Sequence, residues 1–140
     1  MADVFEIEIA TPERLLAREK AIRAQIPAKD GYIGVLPDHA SLLSELGIGA
    51  MTYTTPEDTP FSLAVRGGFL EVHNNVVRVL TDIAEKAQEI NVSAAEKDLK
   101  EAQEAMINPA VGIDIASALI AAKHAQARID AARKAANKEE

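Results

Sequence analysis

The sequence predicts a β + α protein in which a small β-domain, a sandwich or flattened barrel, precedes a pair of C-terminal helices. Six of the seven glycines, all six threonines and seven of the nine valines lie before residue 90, a composition typical of strands and turns. The 50 residues after that point contain 15 alanines, which favour helix. We therefore divide the chain into a β-domain of residues 1–88 and a helical hairpin of residues 89–140.

Alternating hydrophobic and polar residues predict several short strands in the β-domain. Residues 5–9 alternate in this way, and the same pattern returns near residues 61–65 and 70–72. Two such runs are separated by Asn74-Asn75, which predicts a tight hairpin turn because Asn tolerates a positive φ. Many short strands within roughly 85 residues are typical of a β-sandwich or a flattened barrel.

The first helix is bounded by start and stop signals in the sequence. Ser93 followed by Glu96 matches a capping box, so we expect Ser93 to cap the N-terminus of this helix. The pair Asn108-Pro109 is expected to end the helix after about Ile107.

The second helix is expected to begin after Asp114, which can cap it, and to run to about Lys138. Its hydrophobic positions follow a regular 3-4 spacing and are mostly alanine: Ile115, Ala118, Ala122, Ala125, Ile129, Ala132 and Ala136. The first helix offers a matching set: Ala95, Leu99, Ala102 and Met106. An alanine seam lets two antiparallel helices approach closely but buries little apolar area. Such a hairpin is a candidate for opening; the alternative is a hairpin packed statically on the β-domain.

Positive charge concentrates on the second helix. Residues 115–138 contain five basic residues against Asp130 alone: Lys123, Arg128, Arg133, Lys134 and Lys138. At helical spacing Lys123, His124, Lys134 and Lys138 fall opposite the alanine seam, with Arg128 at its flank. This face is either solvated or a contact for an acidic protein partner.

Composition excludes several classes of function. The net charge of −7 argues against broad binding to nucleic acid or anionic lipid. No apolar run approaches the roughly 18–20 residues needed to cross a bilayer, so we expect no membrane insertion. The first residues lack the pattern of a secretory signal, which favours a cytoplasmic location. The absence of cysteine excludes disulfides, thiolate catalysis and cysteine zinc sites.

No catalytic, cofactor or metal motif is present. The histidines His39, His73 and His124 have no spacing typical of metal ligands. The pair Gly31 and Gly34 lacks the following helix that a dinucleotide loop requires. The chain is therefore predicted to be non-catalytic. An alternative interpretation is a ligand-binding domain or an enzyme that uses His39 with Asp30 or Asp38. The spacing of these residues matches no known catalytic or binding motif.

Three stretches, in this order, resemble one known family. They are "DGYIGVLPDHASLLSEL", "VRGGFLEVHNNVVRVLTDIAEKA", and "DLKEAQEAM" followed by an alanine-rich helix. Together they are similar to the epsilon subunit of bacterial F-type ATP synthases, the counterpart of the mitochondrial delta subunit. The resemblance covers essentially the whole chain.

The resemblance implies a ten-stranded β-sandwich followed by an antiparallel two-helix hairpin. It also implies a non-catalytic rotor subunit of the central stalk, which couples rotation of the membrane c-subunit ring to ATP synthesis through the gamma subunit. Its location would be the cytoplasmic face of the bacterial inner membrane, as a peripheral protein. In many relatives the hairpin can extend toward the alpha/beta catalytic head and inhibit ATP hydrolysis. The alternative is a purely structural coupling subunit.

The resemblance also suggests residue roles. The c-ring contact corresponds to Asp30, Gly31, Tyr32, Asp38 and His39, and relatives often carry an acidic residue where this chain has Tyr32. The catalytic-head contact corresponds to Lys123, Arg128, Arg133 and Lys134.

Some relatives bind ATP through a motif whose arginine is replaced here by Ser117, within Ile113-Asp-Ile-Ala-Ser-Ala118. Asp114 and Arg128 remain as nucleotide-binding candidates. Serine cannot supply the guanidinium fork of arginine, so we expect weak ATP binding or none, no cofactor and no metal.

Overall fold

The computed structural model describes residues 3–108 and 114–137, which form a β-sandwich followed by two helices. The eight strands within this part of the chain are β1 (Phe5–Ala10), β2 (Leu15–Ala21), β3 (Arg23–Ala28), β4 (Gly31–Val35), β5 (Leu42–Glu45), β6 (Ile48–Thr54), β7 (Pro60–His73) and β8 (Val76–Lys86). They pair in the order β2-β1-β8-β7-β6-β3-β4, and β5 pairs with β7. The β1–β8 pair is parallel and the other pairs are antiparallel.

The expectation of ten strands is wrong for the described residues, which form eight. Two of these strands are long, since β7 has 14 residues and β8 has 11. The first half of β7 pairs with β6, and its second half pairs with β5. One continuous strand therefore takes the place of two shorter strands with different partners.

The change of partner along β7 occurs at Gly67 and Gly68, whose φ angles are +72° and +108°. A Cβ atom at Gly68 would overlap the carbonyl oxygen of Leu80, because β7 and β8 approach closely there. Before the glycines the odd-numbered residues, such as Val65, face the core; after them the even-numbered ones, such as Leu70, do so. The glycine pair thus inverts the inward face of the strand.

A continuous hydrophobic core fills the sandwich. Its largest fully buried members come from six strands: Phe5, Ile7, Ile9, Ile26, Val35, Met51, Val65, Leu70, Val72, Val77 and Val79. The predicted hairpin turn is confirmed, since Asn74 and Asn75 connect β7 and β8 with φ angles of +50° and +60°.

A short 3₁₀ turn at Ala87–Glu89 leads to the first helix, α1 (Val92–Ile107). The prediction that Ser93 caps this helix is wrong. The Asn91 side chain accepts a hydrogen bond from the Ala94 N–H at 3.0 Å and performs the capping two residues earlier. The predicted end at Ile107 is confirmed.

The second helix, α2 (Ile115–Asn137), begins as expected at Asp114. The Asp114 carboxylate accepts hydrogen bonds from the Ala116 N–H at 3.0 Å and from the Ser117 hydroxyl at 2.9 Å. The predicted signals at Pro109 and Ile113, and the predicted end at Lys138, lie outside the described residues.

Helix α2 buries two rows of alanines. Ala118, Ala122 and Ala125 belong to the predicted seam and are buried, whereas Ile115, at the start of the same seam, is exposed. The second row, Ala127 and Ala131, was not predicted. It packs on Ala50 of β6 and Ala64 of β7 and so docks α2 on the sandwich.

Candidate interaction surfaces

An apolar row crosses four strands on the outer face of the sandwich. Phe69 of β7 pairs with Leu80 of β8, Leu80 pairs with Ala10 of β1, and Ala10 pairs with Leu15 of β2. The exposed fractions of Phe69, Leu80 and Leu15 are 53%, 49% and 54%. We call these four residues the outer apolar row. Adjacent exposed hydrophobic side chains of this kind mark a surface for a protein partner.

Charged residues beside the outer apolar row are paired with one another. The Arg78 guanidinium lies 3.0 Å from the Glu71 carboxylate. Arg18 lies 3.3 Å from Glu6 and 3.2 Å from Glu8. These ion pairs offset much of the charge beside the outer apolar row.

The loop that carries Asp38 and His39 is fastened to the β7–β8 turn. The Asp38 N–H donates to Oδ1 of Asn75 at 2.6 Å, and Nδ2 of Asn75 donates to Oδ1 of Asp38 at 2.9 Å. Nδ1 of His39 lies 2.7 Å from the Ala40 carbonyl oxygen, to which it donates. Ser41 hydrogen-bonds His73 at 3.1 Å. The His39 ring is therefore held by its own loop.

The five residues predicted to contact the c ring do not form one cluster. Asp30, Gly31 and Tyr32 lie at the β3–β4 turn, whereas Asp38 and His39 follow the other end of β4. At about 3.3 Å per residue the five-residue strand separates the two groups by roughly 16 Å.

Tyr32 lies against the sandwich rather than projecting freely. Its hydroxyl oxygen accepts a hydrogen bond from the Ala50 N–H at 3.2 Å. The ring lines a groove of about 860 Å³ between the β3–β4 turn and α2, together with Lys123 and Ile120. Tyr32, predicted to contact the c ring, and Lys123, predicted to contact the catalytic head, therefore line the same groove.

The four cations predicted to contact the catalytic head are not equivalent. Arg128 is only 16% exposed, and its guanidinium contacts the Glu85 carboxylate at 2.8 and 3.3 Å and Asp98 at 3.8 Å. These contacts join α2 to β8 and to α1. Lys123, Arg133 and Lys134 are exposed, with Arg133 at 4.0 Å from Asp130.

His124 lies one turn before Arg128 and is partly buried, so its predicted position on the open face of the helix is wrong. The reason is that α2 is covered on two sides, by α1 and by the sandwich. Its Nδ1 atom is buried and has no hydrogen-bond partner among the described residues. Burial, followed by the nearby positive charges of Arg66 and Arg128, lowers the pKa of this imidazole below its ordinary value.

The nucleotide-binding candidates lie beside an acidic groove. This groove, of about 540 Å³, separates the start of α2 from α1 and β7; its charged and polar lining is Arg66, Asp98, Glu101, Asp114, Ser117 and His124. The Asp114 carboxylate is engaged in capping α2, and Arg128 is engaged with Glu85. Three carboxylates in this lining oppose a phosphate group.

Sequence reasoning missed the outer apolar row and the partners of Arg128. The pairing of Phe69 with Leu80 could have been found, because a two-residue turn at Asn74-Asn75 fixes the hairpin register. The contribution of Leu15 depends on the parallel β1–β8 pair, for which the sequence has no local signal. Glu85 lies 43 residues from Arg128, and nothing in either segment predicts their contact.

Residues 3–108 and 114–137 contain neither a membrane-spanning helix nor a metal-binding cluster. No helix there is long and apolar enough to cross a membrane. In the same residues no group of three or more His, Cys, Asp or Glu side chains is arranged to hold a metal ion.

Comparison with known proteins gives consistent matches. A family model described as ATP synthase, Delta/Epsilon chain, beta-sandwich domain, matches residues 4–87. The ATP synthase epsilon chain of Solibacter usitatus is 48% identical over 134 residues, covering 96% of this chain and 99% of the relative. The ATP synthase epsilon chain of Moorella thermoacetica is 38% identical over 128 residues, covering 91% and 96%.

Solved structures share the fold. One chain of the Euglena gracilis mitochondrial ATP synthase, in the OSCP/F1/c-ring assembly, superposes with a TM-score of 0.83 at 21% identity, covering 95% of this chain and 83% of that chain. A chain of the Tetrahymena thermophila mitochondrial ATP synthase central stalk and c ring gives a TM-score of 0.51 at 17% identity, covering 93% and 94%.

Proposed function

The chain belongs to the delta/epsilon chain family of ATP synthases, and on that basis we propose that it is a central-stalk subunit of an F-type ATP synthase. It couples rotation of the c ring to ATP synthesis through gamma and is an accessory rather than a catalytic subunit. The observation that carries this proposal is the match, over nearly the full length of both chains, to proteins named ATP synthase epsilon chain. We place the subunit peripherally on the cytoplasmic face of the bacterial inner membrane.

The outer apolar row is the proposed contact for gamma. A permanent subunit contact needs a hydrophobic centre, and Phe69, Leu80 and Leu15 supply one across four strands. The loop at Asp38 and His39 is fastened to the turn that connects β7 and β8, the two strands that carry Phe69 and Leu80. Of the predicted c-ring contacts, we therefore assign these two to the gamma side.

The β3–β4 turn remains the proposed c-ring contact, through Asp30, Gly31 and Tyr32. This turn lies at the opposite end of β4 from His39, so a single subunit can reach both partners. The side chain of Tyr32 is 53% exposed although its hydroxyl is engaged with Ala50, which leaves one face of the ring available to a neighbour.

Binding to gamma tests this assignment. The double variant Phe69→Glu/Leu80→Glu should abolish co-purification of the chain with gamma, because it places two charges in the hydrophobic centre of the contact. Ile107→Glu is the matched control, since Ile107 is 76% exposed and lies at the end of α1, away from the outer apolar row. Retention of gamma by the double variant would refute the assignment.

The helix pair is proposed to be an antiparallel hairpin that forms a unit of residues 89–140, distinct from the β-domain of residues 1–88. Contacts between the helices support this orientation. Arg128, in the second half of α2, reaches Asp98, in the first half of α1. Ala118, near the start of α2, lines one groove with Ala105, near the end of α1.

Inhibition of ATP hydrolysis by the extended hairpin is part of the proposal. Lys123, Arg133 and Lys134 are available for an acidic segment of the catalytic head, whereas Arg128 must first leave Glu85 and Asp98. A purely structural role is the second candidate, and the docking of Ala127 and Ala131 on the sandwich favours it.

ATP hydrolysis by the catalytic head distinguishes the two roles. An inhibitory hairpin predicts faster hydrolysis with a chain ending at residue 88 than with the full chain. Charge reversal at Lys123 and Lys134 should reproduce part of that increase, and the effect should shrink with salt. Equal rates with both chains would support the structural role.

ATP is proposed to bind weakly or not at all. Ser117 donates its hydroxyl to Asp114, and the surrounding groove carries Asp98 and Glu101, so a triphosphate meets negative charge. Isothermal titration with MgATP is expected to give no dissociation constant in the low micromolar range.

A further inference from the structure

His124 is enclosed by three elements of the fold. Its own helix, α2, rests on the sandwich and on α1, and the imidazole lines the groove between them. The ring is neither fully buried nor open to solvent, and its Nδ1 atom is inaccessible and unpartnered among the described residues. A buried ring nitrogen without a partner tolerates a neutral imidazole better than a charged one.

The charged groups that face His124 come from each neighbouring element. They are Arg66 on β7, Glu85 on β8, Asp98 and Glu101 on α1, and Asp114 and Arg128 on α2. Two of these groups, Arg66 and Arg128, are cations that repel a protonated imidazole.

The acidic groups near His124 already have partners. Glu85 and Asp98 contact Arg128, at 2.8 and 3.8 Å. Glu101 lies 3.9 Å from Lys97, and Asp114 caps α2. A proton on His124 would therefore compete with existing ion pairs for negative charge instead of meeting an unpaired carboxylate.

We propose that His124 is an acid-sensitive switch: uptake of a proton by its imidazole weakens the packing of α2 on the sandwich and releases the helix. His124 lies one helical turn before Ala127 and Arg128, on the face of α2 that contacts the β-domain. Release exposes the imidazole to water and removes it from Arg66.

The direction of the pH dependence follows from the two states. Burial and the adjacent arginines lower the pKa of His124 when α2 is docked, whereas the released helix restores its ordinary pKa of about 6.5. The stabilisation of the docked state is therefore complete above the ordinary pKa and is lost as the pH falls through the docked-state pKa. Acidification favours the released helix.

The regulatory meaning of the switch rests on the proposed function. In the complex, a fall in pH would increase the fraction of hairpins free to reach the catalytic head and so reduce ATP hydrolysis. The switch itself is a property of the single chain, so it can be tested without the complex.

Energy transfer between two dyes measures the release. The chain has no cysteine, so the exposed residues Lys20 and Ala116 can be replaced by cysteine and labelled in the full-length protein. We expect transfer to stay constant from pH 8 to about pH 6.5 and to fall in the window from about pH 6.5 to pH 5.5, above the titration of ordinary carboxylates. The same labels in a His124→Gln chain should show no loss of transfer in this window.

His73→Gln is the matched control, because His73 lies at the β7–β8 turn and hydrogen-bonds Ser41 rather than any residue of α2. This control should keep the loss of transfer on acidification. A labelled chain that does not respond to pH, or a His124→Gln chain that responds as the parent does, would overturn the proposal.

A second measurement does not depend on the variant. The imidazole resonances of His124 in the unsubstituted chain should titrate over the same pH range as the loss of transfer. Titration of His124 in a range where transfer is constant would also overturn the proposal. Unchanged hydrolysis in the complex, with an intact response of the isolated chain, would count against the inhibitory function and not against the switch.

Discussion

Two adjacent glycines at the centre of β7 determine which residues of that strand enter the core. Gly67 and Gly68 both have positive φ, and the inward-facing set changes from odd to even residues across them. A side chain at Gly68 would meet the backbone of Leu80, with the Thr81 Cα at 2.7 Å from the added Cβ. At this position glycine is required by the close approach of two strands.

Replacement of Gly68 by alanine should therefore destabilise the sandwich strongly. We expect Gly68→Ala to lower the free energy of unfolding by about 3 kcal/mol, from backbone strain of roughly 1–3 kcal/mol and a similar cost of overlap. Urea denaturation measures it. The control is Gly34→Ala, where φ is not positive and an added Cβ meets no atom within 4 Å, so a change below about 1 kcal/mol is expected. Similar losses for both variants would contradict this explanation.

Turns and helix caps were predicted correctly where residues adjacent in the chain determine them. The turn at Asn74 and Asn75 and the cap at Asp114 are confirmed because each uses residues adjacent in the chain. Ser93 was the wrong cap because Asn91, an equally good capping residue, stands two positions earlier. The environment of His124 could not be predicted, because its neighbours Arg66 and Glu85 come from distant strands.

The small side chains of helix α2 determine how closely it packs on its neighbours. Its two rows of buried alanine let it lie close to α1 on one side and to the sandwich on the other. Alanine buries little apolar area, so each contact is weak. Weak contacts of this kind are what the proposed release of α2 from the β-domain requires.

Enlarging one alanine under α2 should separate the helix from the sandwich. We expect Ala131→Leu to destabilise docking by about 1–3 kcal/mol, because Ala131 is fully buried against Ala50 and Ala64. Amide hydrogen exchange should become faster in α2 while the strands keep their protection. Ala116→Leu, at an exposed position of the same helix, should change exchange little. Equal exchange in α2 of the two variants would argue against the docking interface.

The abundance of alanine also limits how well the buried face of α2 can be predicted from the sequence. The 3-4 spacing correctly predicted that Ala118, Ala122 and Ala125 are buried. It did not predict that Ala127 and Ala131 are buried. Alanine is common on exposed and on buried helix faces alike, so its presence does not identify a packed face. The count of ten strands, which the family resemblance implied, was wrong for the described residues because β7 continues through Gly67 and Gly68 as one strand.

The whole molecule consists of a β-sandwich with its own hydrophobic core and a helix pair that packs on it through small side chains. The sandwich has the outer apolar row on one face. The β3–β4 turn and the Asp38–His39 loop lie at opposite ends of β4. Only the complete sheet creates the row, because Leu15 and Phe69 are brought together by the parallel β1–β8 pair. We propose that the sandwich binds gamma and the c ring while the helix pair regulates hydrolysis.

Proton-driven ATP synthesis tests directly whether the chain couples rotation of the c ring to the catalytic head. Membrane vesicles containing an ATP synthase stripped of its epsilon subunit would be energised with a proton gradient, with and without the purified chain. We expect that the chain restores synthesis, that Ile107→Glu restores it equally, and that Phe69→Glu/Leu80→Glu does not. Synthesis that is the same with and without the chain would show that the chain is not a coupling subunit.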